Sequence, residues 1–185
     1  MNVEEIQEYI EEYLQDKKTN LKITNYTLKE SASGATIVLR LLSSGDEIEL
    51  TGTGVGLLDA CWAALVAGFK DEYGSLNRIE LTDAYFRTDV RKGSDVNSSM
   101  KSRMVINLEF KNQSKNIVSF RRRTSSVSYS SVSAVVAAIE FYINCEKLFN
   151  RLRFLTEEAK GRNRSDIAQK YCYALSKIVQ VTNYT

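Results

Sequence analysis

Three glycines at alternate positions, Gly52, Gly54 and Gly56, stand directly before a segment with helical periodicity. A small residue at every second position lets a backbone pass close to a neighbouring backbone or to a small ligand. The amides at the start of the following helix favour an anion, and Asp59 falls in its first turn, where an acid is stabilising by itself. The glycine spacing is not that of a dinucleotide-binding loop. This segment is the first candidate binding site.

A second run of small residues, Ser126, Ser128 and Ser130, stands before another segment with helical periodicity. A shift of 74 positions, which carries Ala60 onto Ala134, lays these serines on the three glycines. The agreement extends along both helical segments, where apolar residues fall on apolar residues. We therefore predict a second loop of the same kind as the first, in an internally duplicated chain.

Residue types restrict the chemistry that the chain can perform. It has 185 residues and no His, which removes the commonest general base, the commonest metal ligand, and the Ser-His and Cys-His nucleophile pairs. Its three cysteines, Cys61, Cys145 and Cys172, are widely spaced in apolar helical patterns, which favours buried free thiols in a reducing compartment over disulfides or a zinc site. We expect no catalytic residues, no metal and no cofactor.

The charge balance limits the partners. With 25 Lys and Arg against 23 Asp and Glu, the net charge is +2, so binding to nucleic acid requires a local basic patch. Arg121, Arg122 and Arg123 form the densest run, and further cations follow at Arg151, Arg153, Lys160, Arg162 and Arg164. In an alternating strand Arg121 and Arg123 share one face while Arg122 lies on the other. Nucleic-acid binding is accordingly the least favoured of three hypotheses.

Two features of the sequence bear on its location. No apolar run approaches the roughly 20 residues of a membrane-spanning helix. The N-terminal segment has five glutamates and no Lys or Arg before Lys17, the reverse of a signal or transit peptide. We expect a cytoplasmic protein without membrane contact.

Hydrophobic periodicity predicts the elements that position these residues. Helical spacing occurs in the first 16 residues, at 57–73, at 131–144 with a pattern that continues beyond it, and after Ser165. Alternation predicts strands at 21–29, 35–42, 46–51, 79–88, 104–110 and 117–123. The segment 91–102 lacks an apolar pattern, which indicates a mobile loop.

The order strand, strand, strand, helix therefore occurs twice. We predict an α+β fold of two repeated βββα units with extra N- and C-terminal helices. The expected division of the single domain 1–185 is an N-terminal helix at 1–20, a first unit at 21–74, a second unit at 75–146 and a helical tail at 147–185.

These residues carry a resemblance to a known family. The run Gly52-Thr53-Gly54-Val55-Gly56-Leu57-Leu58-Asp59-Ala60 resembles the G-x-G-x-G-P-V-D-A segment of the C-terminal allosteric (regulatory, dimerisation) domain of 2-isopropylmalate synthases, a family that includes citramalate synthases. The run Arg87-Thr88-Asp89-Val90 is similar to the family's G-T-D-A strand end, and 126–138 is similar to its second loop and helix. The resemblance covers roughly 21–144.

Three departures from the motifs concern the binding loops. Leu57 replaces the motif proline, Ser126 replaces the glycine of the second loop, and Ser130 replaces its aspartate. The family's catalytic barrel, with its metal-binding histidines, has no counterpart in this chain. The chain is therefore expected to be a freestanding regulatory domain or part of a longer enzyme, and is not itself expected to be an enzyme.

The resemblance implies a non-catalytic regulatory domain of leucine or branched-chain amino-acid biosynthesis. It implies a homodimer that binds leucine or isoleucine near the glycine-rich loops and regulates a catalytic synthase subunit in trans. Asp59 matches the motif's acid and would hold the loop or meet an ammonium group. The effector-binding residues carried over are Gly52, Gly54, Gly56, Leu58, Asp59, Ala60, Ser126, Ser128 and Ser130. The alternative is a structural protein–protein interaction module whose effector site has decayed, as the serine substitutions indicate.

Overall fold

The structure is a computed structural model that describes residues 3–89 and 103–182. Its elements are α1 (Val3–Leu14), β1 (Leu21–Ser31), β2 (Gly34–Ser43), β3 (Asp46–Gly54), α2 (Leu57–Phe69), β4 (Ile79–Asp89), β5 (Arg103–Asn112), β6 (Ile117–Thr124), α3 (Val127–Gly161) and α4 (Ser165–Thr182). Short 3-10 helices occupy Gln15–Lys17 and Gly74–Arg78. The α+β class and the predicted order of elements are confirmed, and the predicted loop 91–102 lies outside the described residues.

The first sheet is antiparallel in the order β1-β2-β3. Alternation places Ile37, Leu39 and Leu41 of the central strand on one face, where all three are fully buried against the helices. Tight turns join the strands, and Gly34 and Gly45 adopt φ angles of 141° and 104° in them. Such positive φ values favour glycine, so these two turns set the short hairpin connections of the sheet.

The second sheet repeats this arrangement as β4-β5-β6, also antiparallel. Its central strand buries Ile106, Leu108 and Phe110 on the face that meets the helices. Trp62 of α2 contacts Phe110 with ring centroids 4.9 Å apart, so the helix of the first unit also touches the sheet of the second. The two units therefore share one core.

Both units carry the same irregularity in their first strand. The pairing register shifts between Ile23 and Asn25 in β1, and between Leu81 and Asp83 in β4. The extra residue is a threonine in each case, and its hydroxyl donates a 3.1 Å hydrogen bond to a backbone carbonyl of the neighbouring strand. The same bulge, stabilised in the same way, bends the edge strand of each sheet.

The equivalence of the two helices corrects the predicted register. Both helices begin one residue after an extended cap, Gly56 for α2 and Ser126 for α3, which is a shift of 70 positions. Buried residues then coincide, Ala60 with Ser130 and Ala64 with Ala134. The shift of 74 predicted from the sequence is wrong by about one helical turn, since four residues nearly complete a turn of 3.6 and preserve the apolar face.

A consequence is that the predicted second loop is mostly helix. Ser126 is the cap of α3, and its hydroxyl accepts a hydrogen bond from the Tyr129 amide. Ser128 and Ser130 lie inside the first turns of α3. The structural counterparts of Gly52 and Gly54 are Arg122 and Thr124, because these residues hold the same pairing positions opposite the central strand.

Helix α3 is the longest element, with 35 residues. The predicted boundary at 146/147 between second unit and tail lies inside it, because no glycine interrupts the helix before Gly161 and burial continues at Leu148, Phe149 and Leu152. Helix α4 packs along α3, and α1 packs against both. Within residues 3–89 and 103–182, no helix has the length and apolar character that crossing a membrane requires.

Polar side chains of α3 hold the chain at the entry to each sheet. The Asn144 side chain accepts a hydrogen bond from the Thr19 amide at 2.7 Å and donates one to the Thr19 carbonyl at 2.9 Å. Glu146 accepts a bond from the amide of Ser75 at 3.0 Å. Asn144 and Glu146 are 4% and 5% exposed, so water cannot replace these bonds. One helix thus fixes the segments that lead into β1 and β4.

The replacement Asn144→Ala is expected to lower the free energy of unfolding by about 3 kcal/mol, because it leaves two buried backbone groups without partners. The matched control is Asn25→Ala on the exposed part of β1, which is expected to change stability by less than about 0.5 kcal/mol. Urea denaturation of the two variants measures the difference. A loss no larger for Asn144→Ala than for the control would contradict the role assigned to this side chain.

Candidate functional site

A groove of about 730 Å³ lies where the starts of α2 and α3 meet the edge strands β1 and β4. The start of α2 contributes its cap Gly56 together with Leu57, Leu58 and Asp59, and helix α3 contributes Val127, Ser128 and Ser131. The strands complete the walls with Leu28, Glu30, Leu81, Thr82, Asp83, Ala84 and Phe86. The groove is therefore built from both units, and four sequence-distant segments meet in it.

The walls of the groove combine apolar surface with charge of one sign. Three carboxylates line it, from Glu30, Asp59 and Asp83, and no Lys or Arg is among the described residues of its walls. The helix starts supply partial positive charge through their amides. This combination suits a small zwitterion, because the carboxylates attract an ammonium group, a helix start attracts a carboxylate, and leucine side chains accept an aliphatic group.

The two helix starts differ in capping. Gly56 caps α2 and has no side chain, so the first-turn amides of α2 receive no hydrogen bond from their own cap residue. Ser126 caps α3 and satisfies the Tyr129 amide with its own hydroxyl. The start of α2 is therefore the end with amides available to a ligand carboxylate, and the groove has one such end rather than two equivalent ones.

The structure brings four of the nine predicted site residues together in the groove, namely Gly56, Leu58, Asp59 and Ser128. Ser128 is held in place from the first sheet, since the Tyr26 hydroxyl donates a 3.0 Å hydrogen bond to its Oγ. The residues that sequence reasoning missed are those of β1 and β4. Alternation predicted both strands, but it gave no sign that they would border the same helix starts.

Gly52 and Gly54 have a packing role in the described structure. A Cβ on Gly52 would lie 2.2 Å from the Ala60 carbonyl oxygen and 2.5 Å from the Ala64 amide nitrogen. A Cβ on Gly54 would lie 2.5 Å from the Ala60 amide nitrogen. Glycine at these positions therefore lets α2 rest directly on the backbone of β3, which places the start of α2 at the groove.

The remaining predicted residues lie outside the groove. Ala60 and Ser130 are both fully buried between helix and sheet, and Ser130 shares a hydroxyl–hydroxyl hydrogen bond with Thr124. Ser126 is exposed and serves as the cap of α3. These three residues support the walls and do not form them.

Two adjoining grooves of about 490 and 890 Å³ meet on the other side of α3. They share Arg122 of β6 and Glu140 of α3, and the Glu140 carboxylate accepts a 2.7 Å hydrogen bond from the Leu21 amide. Burial raises the pKa of Glu140, while that hydrogen bond and the charges of Arg122 and Lys18 act in the opposite direction. The side chain has a structural role, since it fixes the start of β1.

The cysteines offer no reactive centre in the core. Cys61 and Cys145 are buried free thiols, as predicted, and burial raises the pKa of Cys61 to about 12. Cys172 is also free but exposed, contrary to the prediction, because it lies on the outer side of α4. Across the part of the chain that the structure describes, no group of Cys, Asp and Glu side chains is arranged to hold a metal ion.

No family model matches the chain, and no curated protein matches it. The functional inference is therefore carried by the groove, by the helix start that opens into it, and by the residues that line it.

The packing role of Gly52 predicts that Gly52→Ala lowers the free energy of unfolding by about 3 kcal/mol, because the added methyl group overlaps the α2 backbone. Gly56→Ala is the control: its Cβ would meet no described atom within 4 Å, and Gly56 has an extended φ of −149°. We expect a cost of less than about 1 kcal/mol for the control. Thermal or urea unfolding tests this, and equal effects would contradict the close contact.

The raised pKa of Glu140 predicts a specific pH dependence. Since the folded pKa lies above the unfolded value of 4.5, ionisation favours the unfolded chain, and the contribution of Glu140 to stability falls as the pH rises from below 4.5 through the folded pKa. In Glu140→Gln this fall is absent. The difference in unfolding free energy, wild type minus variant, should therefore decrease with rising pH in urea titrations. A flat or increasing difference would contradict the assignment.

Proposed function

We propose that the protein is a non-catalytic regulatory and dimerisation domain that binds a branched-chain amino acid in the groove between the starts of α2 and α3. The observation that carries the proposal is the glycine-capped start of α2, which opens into an apolar groove lined by three carboxylates. The proposal agrees with the resemblance to the allosteric domain of 2-isopropylmalate synthases. Leucine and isoleucine are the ligands that this resemblance suggests.

The ligand is held by complementary groups at its two charged ends. Its carboxylate accepts hydrogen bonds from the first-turn amides of α2, which Gly56 leaves uncapped. Its ammonium group lies against the carboxylate of Asp59, with Glu30 and Asp83 adding negative charge to the same groove. Its aliphatic side chain removes Leu28 and Leu81 from water, and this burial adds to the affinity.

Exposed apolar residues at the groove support the dimer. Phe86 is 51% exposed and Val127 is 47% exposed, and both border the groove beside the partly exposed Leu57 and Leu58. A second copy that covers this surface would bury the ligand and the apolar rim together. In this proposal a bound amino acid adjusts the dimer, and through it a catalytic synthase subunit in trans.

The second candidate is a purely structural interaction module. The observation that favours it is the self-capped start of α3, where Ser126 satisfies the Tyr129 amide, so that the second unit offers no open helix start to a ligand. A chain that has lost its effector keeps the apolar surface around Phe86 and Val127 as an interface. This alternative predicts a dimer by light scattering that no amino acid stabilises.

The test is a thermal-shift and calorimetry screen of the full chain against leucine, isoleucine and the corresponding keto acids. At about a hundred times the dissociation constant, a ligand stabilises the fold by about 2.7 kcal/mol. Keto acids lack the ammonium group, so they should bind at least tenfold more weakly. A chain that responds equally to both classes would contradict the role of Asp59, and one that responds to neither would favour the structural module.

Gly56→Asp is the diagnostic variant. Aspartate is a preferred helix cap, so its carboxylate bonds the first-turn amides of α2 and competes with the ligand carboxylate at no cost to stability. We expect leucine binding to be lost in Gly56→Asp and retained in Gly56→Ala, with both variants folded. Unchanged affinity in Gly56→Asp would show that the ligand, if bound, does not use this helix start.

A further inference from the structure

Strand β4 is the edge of the second sheet, since it pairs with β5 on one side and with none of the described strands on the other. Edge strands of natural proteins commonly expose charge and few large apolar side chains, because their open backbone can pair with another chain. In β4, by contrast, Tyr85 is 53% exposed on one face and Phe86 is 51% exposed on the other. Within their described residues, the edge strands β1 and β3 expose no large apolar side chain. We call residues 83–87 the β4 edge.

The β4 edge is complementary to itself in an antiparallel pairing. A two-fold axis at Tyr85 sets Asp83 opposite Arg87 of a second copy, twice by symmetry, and sets Tyr85 opposite its own copy. On the other face the same axis sets the small Ala84 opposite the large Phe86, also twice. Opposite charges and well-packed side chains directly across two strands are stabilising. Within one chain Asp83 and Arg87 are about 14 Å apart along the strand, so they meet only through a second copy.

The backbone of the β4 edge fits this register. The Ala84 amide donates a 2.7 Å hydrogen bond to the Asp83 carboxylate, which places this amide on the open side of the strand. Residues of an antiparallel strand direct their backbone groups to alternate sides, so Phe86 shares the open side with Ala84. A two-fold axis at Tyr85 makes Ala84 and Phe86 a hydrogen-bonded pair, and each such pair exchanges both of its N–H···O bonds. The Asp83 carboxylate then releases the amide and is available to Arg87 of the second copy.

The charges on the outer face of the second sheet agree with the same register. Asp83 and Glu109 share one row, Tyr85 lies in the next row, and the exposed Arg87 lies in the row beyond it. The Tyr85 hydroxyl is hydrogen-bonded to Asp83, so the ring lies toward the acidic row. Antiparallel pairing through the β4 edge places the acidic row of one sheet beside Arg87 of the other. Charges of opposite sign therefore meet at both ends of the interface.

The edge strands β3 and β6 lack this self-complementarity. Strand β6 has Arg121, Arg122 and Arg123 in succession, with Arg122 on the opposite face from the other two, as predicted. Antiparallel pairing of this run with its own copy sets arginine against arginine. Pairing of β3 with itself around its acids sets Glu47 against Glu49 in the same way. Like charges directly opposite each other are destabilising, which leaves the β4 edge as the better surface for a second copy.

We propose that two copies of the chain join through their β4 edges, so that the two three-stranded sheets continue into one six-stranded antiparallel sheet. Phe86 borders the groove at the helix starts, so the strand of the second copy lies beside the candidate ligand site. The proposal specifies the surface of the dimer in the proposed function. It rests on that dimer and is independent of amino-acid binding.

The first experiment is a cross-linking test in the full chain carrying Cys172→Ser, which removes the exposed native thiol and leaves the two buried ones. Tyr85→Cys places a thiol opposite its own copy in a non-hydrogen-bonded pair, with Cα atoms about 4.5 Å apart, a distance that a disulfide spans. Asp83→Cys is the matched control, because it lies on the same face of the same strand but about 14 Å from its own copy. Under mild oxidation Tyr85→Cys should form covalent dimers and Asp83→Cys should not. Equal cross-linking of the two variants, or none in Tyr85→Cys, would overturn the proposal.

The second experiment reverses charges and measures dimerisation by sedimentation equilibrium. Arg87→Asp and Asp83→Arg each set like charges opposite one another twice, so each should weaken the dimer at least about tenfold. The double variant restores opposite charges and should dimerise like the wild type. Lys29→Asp, on the exposed part of β1, makes the same change of charge as Arg87→Asp and should leave the dimer intact.

A dimer that survives both single reversals, or that the double variant does not recover, would overturn the proposal in favour of another surface. A wild-type chain that is monomeric at every concentration would also overturn it, and would leave the β4 edge to a strand of a different protein. Calorimetry with leucine on the same samples separates this proposal from the proposed function. Cross-linking through Tyr85→Cys without leucine binding supports the interface and contradicts the ligand, whereas leucine binding without cross-linking contradicts the interface alone.

Discussion

The architecture depends on the buried polar side chains of α3. Asn144 and Glu146 belong to the second βββα unit, yet they satisfy backbone groups that precede the first strand of each unit. Neither backbone segment has water as an alternative partner, so each sheet has its correct starting point only when α3 is in place. The two units therefore form one cooperative structure, although each repeats the same order of elements.

Although the two units share the same order of elements, their helix starts differ. In the first, glycines let α2 lie on the backbone of β3 and leave its first amides without a cap. In the second, Arg122 and Thr124 occupy the equivalent strand positions and Ser126 caps the helix itself. The start of α2 thus has no side-chain cap, whereas the start of α3 is capped by its own serine. The groove between the two helix starts is lined by residues of both units.

The sequence predicted the elements well because alternation and helical spacing are local properties of the chain. Such patterns predicted the order of the strands and helices along the chain and the amphipathic first helix. They also predicted that Cys61 and Cys145 are buried. The register between the units did not, since shifts of 70 and 74 differ by about one helical turn and preserve the same apolar face. The helical pattern that continues beyond residue 144 agrees with the single helix α3, which ends at Gly161.

The candidate site shows the same division between local and long-range information. Gly56, Leu58 and Asp59 are adjacent in sequence and were found together by motif. Gly52 and Gly54 were assigned to the ligand because a small residue allows either a ligand or another backbone to come close. Only the structure shows that the group lying against these glycines is the backbone of α2. The contributions of β1 and β4 depend on how two sheets meet one helix pair, which no single segment encodes.

The length of α3 gives the molecule a mechanical property. With 35 residues the helix is about 52 Å long, and its first turn borders the groove while its far half carries α4. A tilt of about 5° at the groove displaces the far end by about 4–5 Å, the scale of a single helical turn. The helix is thus a continuous connection between the candidate groove and the C-terminal helix.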